Sequence, residues 1–384
     1  MPQTTKAPLR FTRLRLENWR NFRQVDVELA GRVFLVGPNA SGKSNFLDAF
    51  RFLHDVASRG FQAAIRSRGG VSRLRNLSAP DDAEVTVAVS IGSEDRPALW
   101  TYEIRFREDS SGRPILTAEW VQGEGFEMRR PDDADRQDPL RRTQTALEQI
   151  SLNKGFREIS DFLSTVFYLH IIPQLVRDPD RSTGKTADQL GEDFLYQVAD
   201  VPPDLLRERL DWLKGILRAA AVPQIDQLVV KRNGSGRPHL CAQYRPSGRW
   251  QTEEDFSDGT LRLIGLLWAH LVQPSGPLIL EEPELSLHPE IVRRLPQLFV
   301  LMQSEEGQQV LLSTHSPDLL QDEGIGLNEV LLLFPHQEGT DIRTAASFEE
   351  IPLLLEGGVP LADAVLPRTR PEGIEKLTSQ AGRR

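Results

Sequence analysis

Apolar and polar positions alternate through Phe11-Thr12-Arg13-Leu14-Arg15-Leu16 and again through Val25-Asp26-Val27-Glu28-Leu29. A period of two sends successive side chains to opposite faces, which predicts two half-buried strands. Val33-Phe34-Leu35-Val36 is apolar throughout, as a strand covered on both faces is. A glycine loop follows, then a helix predicted from Lys43 to His54 with Phe46, Leu47, Phe50 and Leu53 along one face. Residues 85–91, 99–106 and 115–121 read as a strand meander with polar turns. Charge crowds residues 129–142, which predicts a solvated loop. Helical spacing runs over 143–167 and 191–221, and strands at 227–231 and 238–244 flank the turn Asn233-Gly234-Ser235-Gly236. A helix after Phe256, a strand at 277–280, a helix at 289–303 and strands at 310–313 and 329–334 complete the pattern. Such alternation predicts an α/β core with a substantial parallel sheet. The basic, polar tail after Pro367 is expected to fray.

Composition narrows the class. The 384 residues are 39% hydrophobic and 26% charged, ordinary for a soluble globular protein and enough for a full core. The lone Cys241, in the strand-like Leu240-Cys241-Ala242, reads as a buried structural thiol and points to a reducing, cytoplasmic setting. Residues 1–9 lack a secretory apolar core. No apolar run approaches the roughly 18 residues a membrane span needs, so membrane insertion is not expected. The net charge of -9 argues against a diffuse nucleic-acid coat but leaves room for a local patch. Arg66, Arg68, Arg73 and Arg75 around Gly69-Gly70 form one, and both a phosphate grip and a solvated surface stretch remain open readings of it.

The strongest chemical signal is Gly37-Pro38-Asn39-Ala40-Ser41-Gly42-Lys43-Ser44, a full match to the P-loop pattern. Gly37 and Gly42 let the backbone turn its N–H groups toward phosphate oxygens, and the following helix N-terminus adds a favourable dipole. Lys43 supplies charge for the β- and γ-phosphates, and the Ser44 hydroxyl suits Mg²⁺. The position between an apolar strand and an amphipathic helix is the context this motif requires.

Two later strand ends supply the complement. Leu278-Ile279-Leu280-Glu281-Glu282-Pro283-Glu284 is an apolar strand ending in carboxylates. One carboxylate there suits a metal's water shell and the next a water to be polarised; an acidic helix start at Pro283 is the plain alternative. Val310-Leu311-Leu312-Ser313-Thr314-His315-Ser316-Pro317 ends a second apolar strand in a histidine, where sheet ligands collect. Ahead of both, Phe256-Ser257-Asp258-Gly259-Thr260 opens a helix; Ser257 reads as an ordinary N-cap or as an anion contact.

In this order, with Leu16-Glu17-Asn18-Trp19-Arg20-Asn21-Phe22 and Leu287-His288-Pro289, these elements resemble the ABC-type ATPase superfamily, and within it the bacterial AAA-family ATPases of the OLD and RecF type. The resemblance covers residues 9–334. It implies one discontinuous ATPase head over 1–384, with a mixed sheet, an antiparallel β subdomain and a helical lobe. Its parts are an N-terminal lobe with the P-loop and meander at 1–125, an inserted helical and β lobe at 126–255, the signature, Walker B and switch-histidine part of the core at 256–334, and a C-terminal extension at 335–384. It implies that Gly37, Pro38, Asn39, Ala40, Ser41, Gly42, Lys43, Ser44 and Asn45 hold ATP, with Arg20 and Asn21 touching the nucleotide. Ser44, Glu281 and a Q-loop glutamine, assigned to Gln174, would serve Mg²⁺. Glu282 would be the catalytic base and His315 the switch histidine, with Lys43 as the third catalytic group. Ser257, Asp258 and Gly259 would meet ATP held by a second copy in an ATP-dependent homodimer.

The departures redirect the functional expectation. Glu281 stands where ABC transporters have Asp, the signature reads Ser-Asp-Gly-Thr rather than Ser-Gly-Gly-Gln, and His288 fits a helix cap better than a contact across a dimer. Neither sustained heptads nor a Cys-x-x-Cys hook suggests long coiled-coil arms. OLD proteins carry a nuclease domain after the head, and about fifty residues follow Phe334 here, too few for one. The expectation is an ATP switch in DNA maintenance or phage defence with a separate nuclease or effector and DNA as a further partner. A transporter or membrane-complex ATPase, and a nucleotide-sensing regulator with slow turnover, are the alternatives.

Overall fold

In the computed structural model, residues 8–177, 194–272 and 276–370 are described. The chain opens with β1 (Arg10–Trp19) and β2 (Phe22–Glu28), then β3 (Arg32–Val36) and the P-loop helix Lys43–Arg59. The meander is β4 (Val85–Gly92), β5 (Trp100–Glu108), β6 (Pro114–Gly123) and β7 (Phe126–Arg130). After the helix Arg157–Ser164 come β8 (Phe167–Leu169), the helices Pro173–Arg177, Phe194–Ala199 and Pro203–Ala220, and the hairpin strands β9 (Ile225–Arg232), β10 (Pro238–Tyr244) and β11 (Arg249–Thr252). The helix Asp258–Val272 leads to β12 (Leu278–Glu281), β13 (Val310–Thr314), β14 (Val330–His336) and β15 (Gly339–Thr344).

These strands make three sheets, ordered β2-β1-β4-β5-β6-β7, β11-β10-β9 and β15-β14-β3-β13-β12-β8. The first two are antiparallel. The third is parallel from β8 through β14, with β15 antiparallel at its edge. The expected mixed sheet and antiparallel β subdomain are both present.

The buried clusters explain the layers. Val33 and Leu35 join Leu14, Phe46, Phe50 and Val87 in a core that seats the P-loop helix between the antiparallel sheet and one face of the mixed sheet. Phe34 and Val36, the alternate residues of β3, join Leu280, Leu312 and Phe299 on the opposite face. The unbroken apolar run of β3 therefore fills two cores. A third cluster gathers Leu213, Leu217, Leu240, Ile264 and Trp268 into the lobe of helices and three-stranded sheet that carries the helix Asp258–Val272.

Several expected elements differ. Residues 129–142 are largely exposed, as read, but are not a plain loop: β7 ends at Arg130, a short helix spans Asp133–Gln137 and a 3-10 turn spans Pro139–Thr143. Arg130 is buried and donates to Asp135 at 2.7 and 2.9 Å and to Glu119 at 3.1 Å. Within this largely exposed segment, Arg130 and Asp135 join Glu119 in an internal network. Burial raises the Glu119 carboxyl, whereas at Asp135 hydrogen bonds led by Arg130 outweigh burial and hold it well below the usual range. Removing one member of a buried ion network costs about 3–5 kcal/mol because the others remain charged and unpaired. Arg130→Ala is expected to lower stability by that order, read as a shifted urea midpoint; a midpoint within error of wild type would show the network to be dispensable.

The pattern over 143–167 shrinks to the helix Arg157–Ser164, since Glu119 and Glu148 draw the preceding backbone N–H groups into turns. The helix expected over 289–303 breaks between Pro289–Val292 and Leu295–Glu306, where Pro296 has no N–H to continue the ladder. Pro202 and Pro203 likewise divide the second helical stretch, whose first residues, 191–193, lie outside the described residues, as does the tail 371–384. Strands β7, β8, β11 and β15 were not expected. Cys241 is buried in β10 as read. Among the described residues, no helix is long and apolar enough to cross a membrane.

Candidate functional site

Parallel pairing of β3 with β13 and of β13 with β12 brings the ends of three strands side by side. The P-loop follows β3, Glu281 ends β12 and His315 follows β13. Segments more than 200 residues apart in sequence thus meet, and Ser44 Oγ donates to Glu281 Oε2 at 3.0 Å.

The loop has the features an anion cradle needs. Gly42 caps the P-loop helix in the left-handed region at φ 97°, with no side chain satisfying the first-turn N–H groups. A Cβ on Gly42 would lie 2.1 Å from Asn21 Nδ2, so the position is closed to other residues by contact as well as by conformation. Ser41 Oγ is buried without a hydrogen-bond partner. Lys43 is buried, and its ammonium donates to the carbonyls of Gly37 and Pro38 at 3.0 and 3.1 Å. Burial pulls its pKa down, against the attraction of Glu282, Glu281 and Glu284.

Asn21 braces the loop through its side-chain amide. It donates to Ser41 O at 2.9 Å and Thr340 Oγ1 at 2.8 Å, and it accepts from Asn45 at 2.7 Å. Arg20 pairs with Asp48 of the P-loop helix at 2.6 Å. Both line a cleft of about 670 Å³ beside the loop, with Ala40, Asn45, Arg73 and Leu77. Of the four-arginine run, Arg68 faces inward, paired with Asp48 and Asp55 at 2.8 Å each, and Arg75 is held by Asp81 at 2.9 Å.

Glu282 adopts φ 43°, rare for a residue with a side chain, and its N–H is held by Ser313 O at 3.1 Å. Such a conformation costs about 1–3 kcal/mol and survives only where neighbours impose it. It turns the Glu282 carboxylate to within 3.3 Å of His315 Nε2, which has no aligned hydrogen bond. Burial, with Lys43 second, lowers the His315 pKa, so the ring is neutral near pH 7.

Three residues here were given no role of their own from the sequence. Glu284 is buried and accepts from the Thr314 hydroxyl at 2.6 Å and His315 N–H at 3.1 Å, which ties the Glu282 loop to the histidine loop. Burial raises its pKa, and its second oxygen is unpartnered. Tyr168 donates to Glu281 Oε1 at 2.7 Å, and His170 Nδ1 lies 3.9 Å from Glu281 Oε2. Gln174 lies exposed in the helix Pro173–Arg177, while Tyr168 and His170 are the side chains of that segment that reach Glu281. An aromatic-histidine pair at the end of a three-residue strand has no motif to reveal it.

The signature segment starts its helix as expected. Ser257 Oγ accepts from Thr260 N at 3.1 Å, Asp258 pairs with Arg177 at 2.6 Å, and a Cβ on Gly259 would lie 2.3 Å from Ser286 O. The helix start and the loop after Glu284 are therefore in direct contact. His288 caps the helix Pro289–Val292, accepting from Glu290 N at 3.2 Å, the structural role read from the sequence.

The fold is similar to solved Smc head domains. An Smc head bound to the C-terminal winged-helix domain of ScpA matches with a TM-score of 0.53 at 17% identity, covering 87% of this chain and 97% of that one. An Smc head domain with an extended coiled coil bound to the C-terminal domain of ScpA, from Pyrococcus furiosus, gives 0.53 at 16% identity, covering 91% and 99%. One from Pyrococcus yayanosii, with a coiled coil and joint, gives 0.50 at 13%, covering 91% and 100%. No curated protein matches the chain in sequence. The profile of one ATPase family spans residues 32–321, from β3 through the histidine loop and so well over half of the chain. With the P-loop, the carboxylate strand and the SMC-head fold in place, the chain belongs to that family, described as "AAA domain, putative AbiEii toxin, Type IV TA system".

Proposed function

We propose that the protein binds ATP with Mg²⁺ on the P-loop and hydrolyses it between two copies of the head. The observation that carries this is the convergence of Lys43, Ser44, Glu281, Glu282 and His315 at three adjacent strand ends. The uncapped helix start and the unpartnered Ser41 hydroxyl fit phosphate oxygens, and the Ser44 hydroxyl with the Glu281 carboxylate fits a hard divalent cation. A cation held by Ser44 and Glu281 would supply charge neutralisation at the β- and γ-phosphates. Lys43 leaves the carbonyls of Gly37 and Pro38 for the phosphates. Glu282 accepts a proton from the attacking water, and neutral His315 steers that water and the γ-phosphate. The cleft along Arg20, Arg73 and Leu77 has room for the sugar and base.

Ser257 is exposed at its helix start, a position suited to the γ-phosphate held by a second copy. The contact between Gly259 and Ser286 links that encounter to the catalytic loop of the same chain. In this reading the head is an ATP switch in DNA maintenance or phage defence that drives a separate effector protein. ATP turnover by the purified protein, with and without duplex DNA and with Glu282→Gln as the blank, tests it. Turnover that rises with DNA supports the DNA-linked role. Turnover indifferent to DNA removes that role and leaves the ATPase. DNA cleavage by the purified chain alone would overturn the separate effector.

A further inference from the structure

Glu281 is longer than the aspartate of transporter heads and has more freedom to turn, yet its two oxygens are given different tasks. Oε1 accepts the Tyr168 hydroxyl at 2.7 Å. Oε2 accepts from Ser44 at 3.0 Å and faces the unpartnered, buried Nδ1 of His170 at 3.9 Å. The Tyr168 ring is itself held, with the Arg51 guanidinium from the P-loop helix 4.9 Å from its centroid.

We propose that Tyr168 is a positioning residue that reserves Oε1 of Glu281 for the protein and so leaves Oε2 as the oxygen that serves the divalent cation of the nucleotide. The inference rests on the ATP·Mg²⁺ reading of this site. The Tyr168 hydroxyl reaches the site through its bond to Glu281. A hydroxyl bonded to one oxygen of a flexible carboxylate fixes its rotation, and loss of such an outer contact typically costs 10–100-fold in metal affinity or activity. The arrangement also explains how a glutamate serves at this strand end: the added methylene is offset by a fixed anchor.

Tyr168→Phe removes the hydroxyl and keeps the ring against Arg51. Two quantities separate positioning from general damage: Mn²⁺ affinity in the presence of ATPγS, followed by electron paramagnetic resonance, and ATPγS affinity without metal. The expected result is Mn²⁺ affinity weakened by about tenfold or more, with metal-free ATPγS affinity and the unfolding midpoint unchanged. Unchanged Mn²⁺ affinity in Tyr168→Phe, with Glu281→Gln clearly weakened, overturns the role of Tyr168 and leaves the metal-site reading standing. Unchanged Mn²⁺ affinity in Glu281→Gln overturns both. Equal losses of metal-bound and metal-free affinity in Tyr168→Phe also overturn the proposal, because they mark a structural defect.

Discussion

Glu282→Gln is expected to stop ATP turnover while ATP still binds. A positioned general base contributes about 10²–10⁴-fold to a rate, and an amide cannot accept the proton. The substitution preserves shape, so the left-handed backbone at φ 43° and its bond to Ser313 O persist. It also removes one of the carboxylates facing the phosphate end of the site. ATP should therefore hold two heads together without release, and light scattering in ATP should report twice the monomer mass. Turnover within about threefold of wild type, against the 10²-fold minimum for a base, would assign the water to another group. Glu284 is the nearest alternative by chemistry, since burial raises its pKa, but both its strong contacts are to the Thr314–His315 segment.

The second large effect is loss of ATP binding in Lys43→Ala. Lys43 is the buried cation that faces Glu281, Glu282 and Glu284 across the site. Without it, phosphates would enter beside three carboxylates with only backbone N–H groups to meet them. Loss of one partner from a buried charge pair costs about 3–5 kcal/mol, which corresponds to an affinity lowered by more than about 100-fold. Isothermal titration with ATP and Mg²⁺ measures this directly. ATP affinity within a few-fold of wild type would mean that nucleotide binds elsewhere.

The elements that carry the chemistry were legible because each is local. A phosphate loop needs its glycines, lysine and serine within eight consecutive residues, after an apolar strand and before a helix, and Gly37 through Ser44 satisfies that without help from the rest of the chain. The apolar runs of β3, β12 and β13 announced strands buried on both faces. The order of these pieces was enough to identify an ATPase head.

Partnership between distant charges was not legible. Residues 129–142 read as solvated because charge is usually exposed, and nothing local says that Arg130 meets Glu119 inside the fold. Arg68 looked like part of a basic surface until the P-loop helix supplied Asp48 and Asp55. The fourth strand of the site, β8, has only Phe167–Leu169 to show, too short for any periodicity. Its pairing with β12 brings Tyr168 to Glu281 across 113 positions of sequence. The sequence by itself determined which strand ends bear the P-loop motif and the acidic groups, because those signals lie within a few residues of one another. Only the tertiary structure decided which side chains stand behind them, because hydrogen bonds and ion pairs depend on separation in space, and sheet order sets that separation.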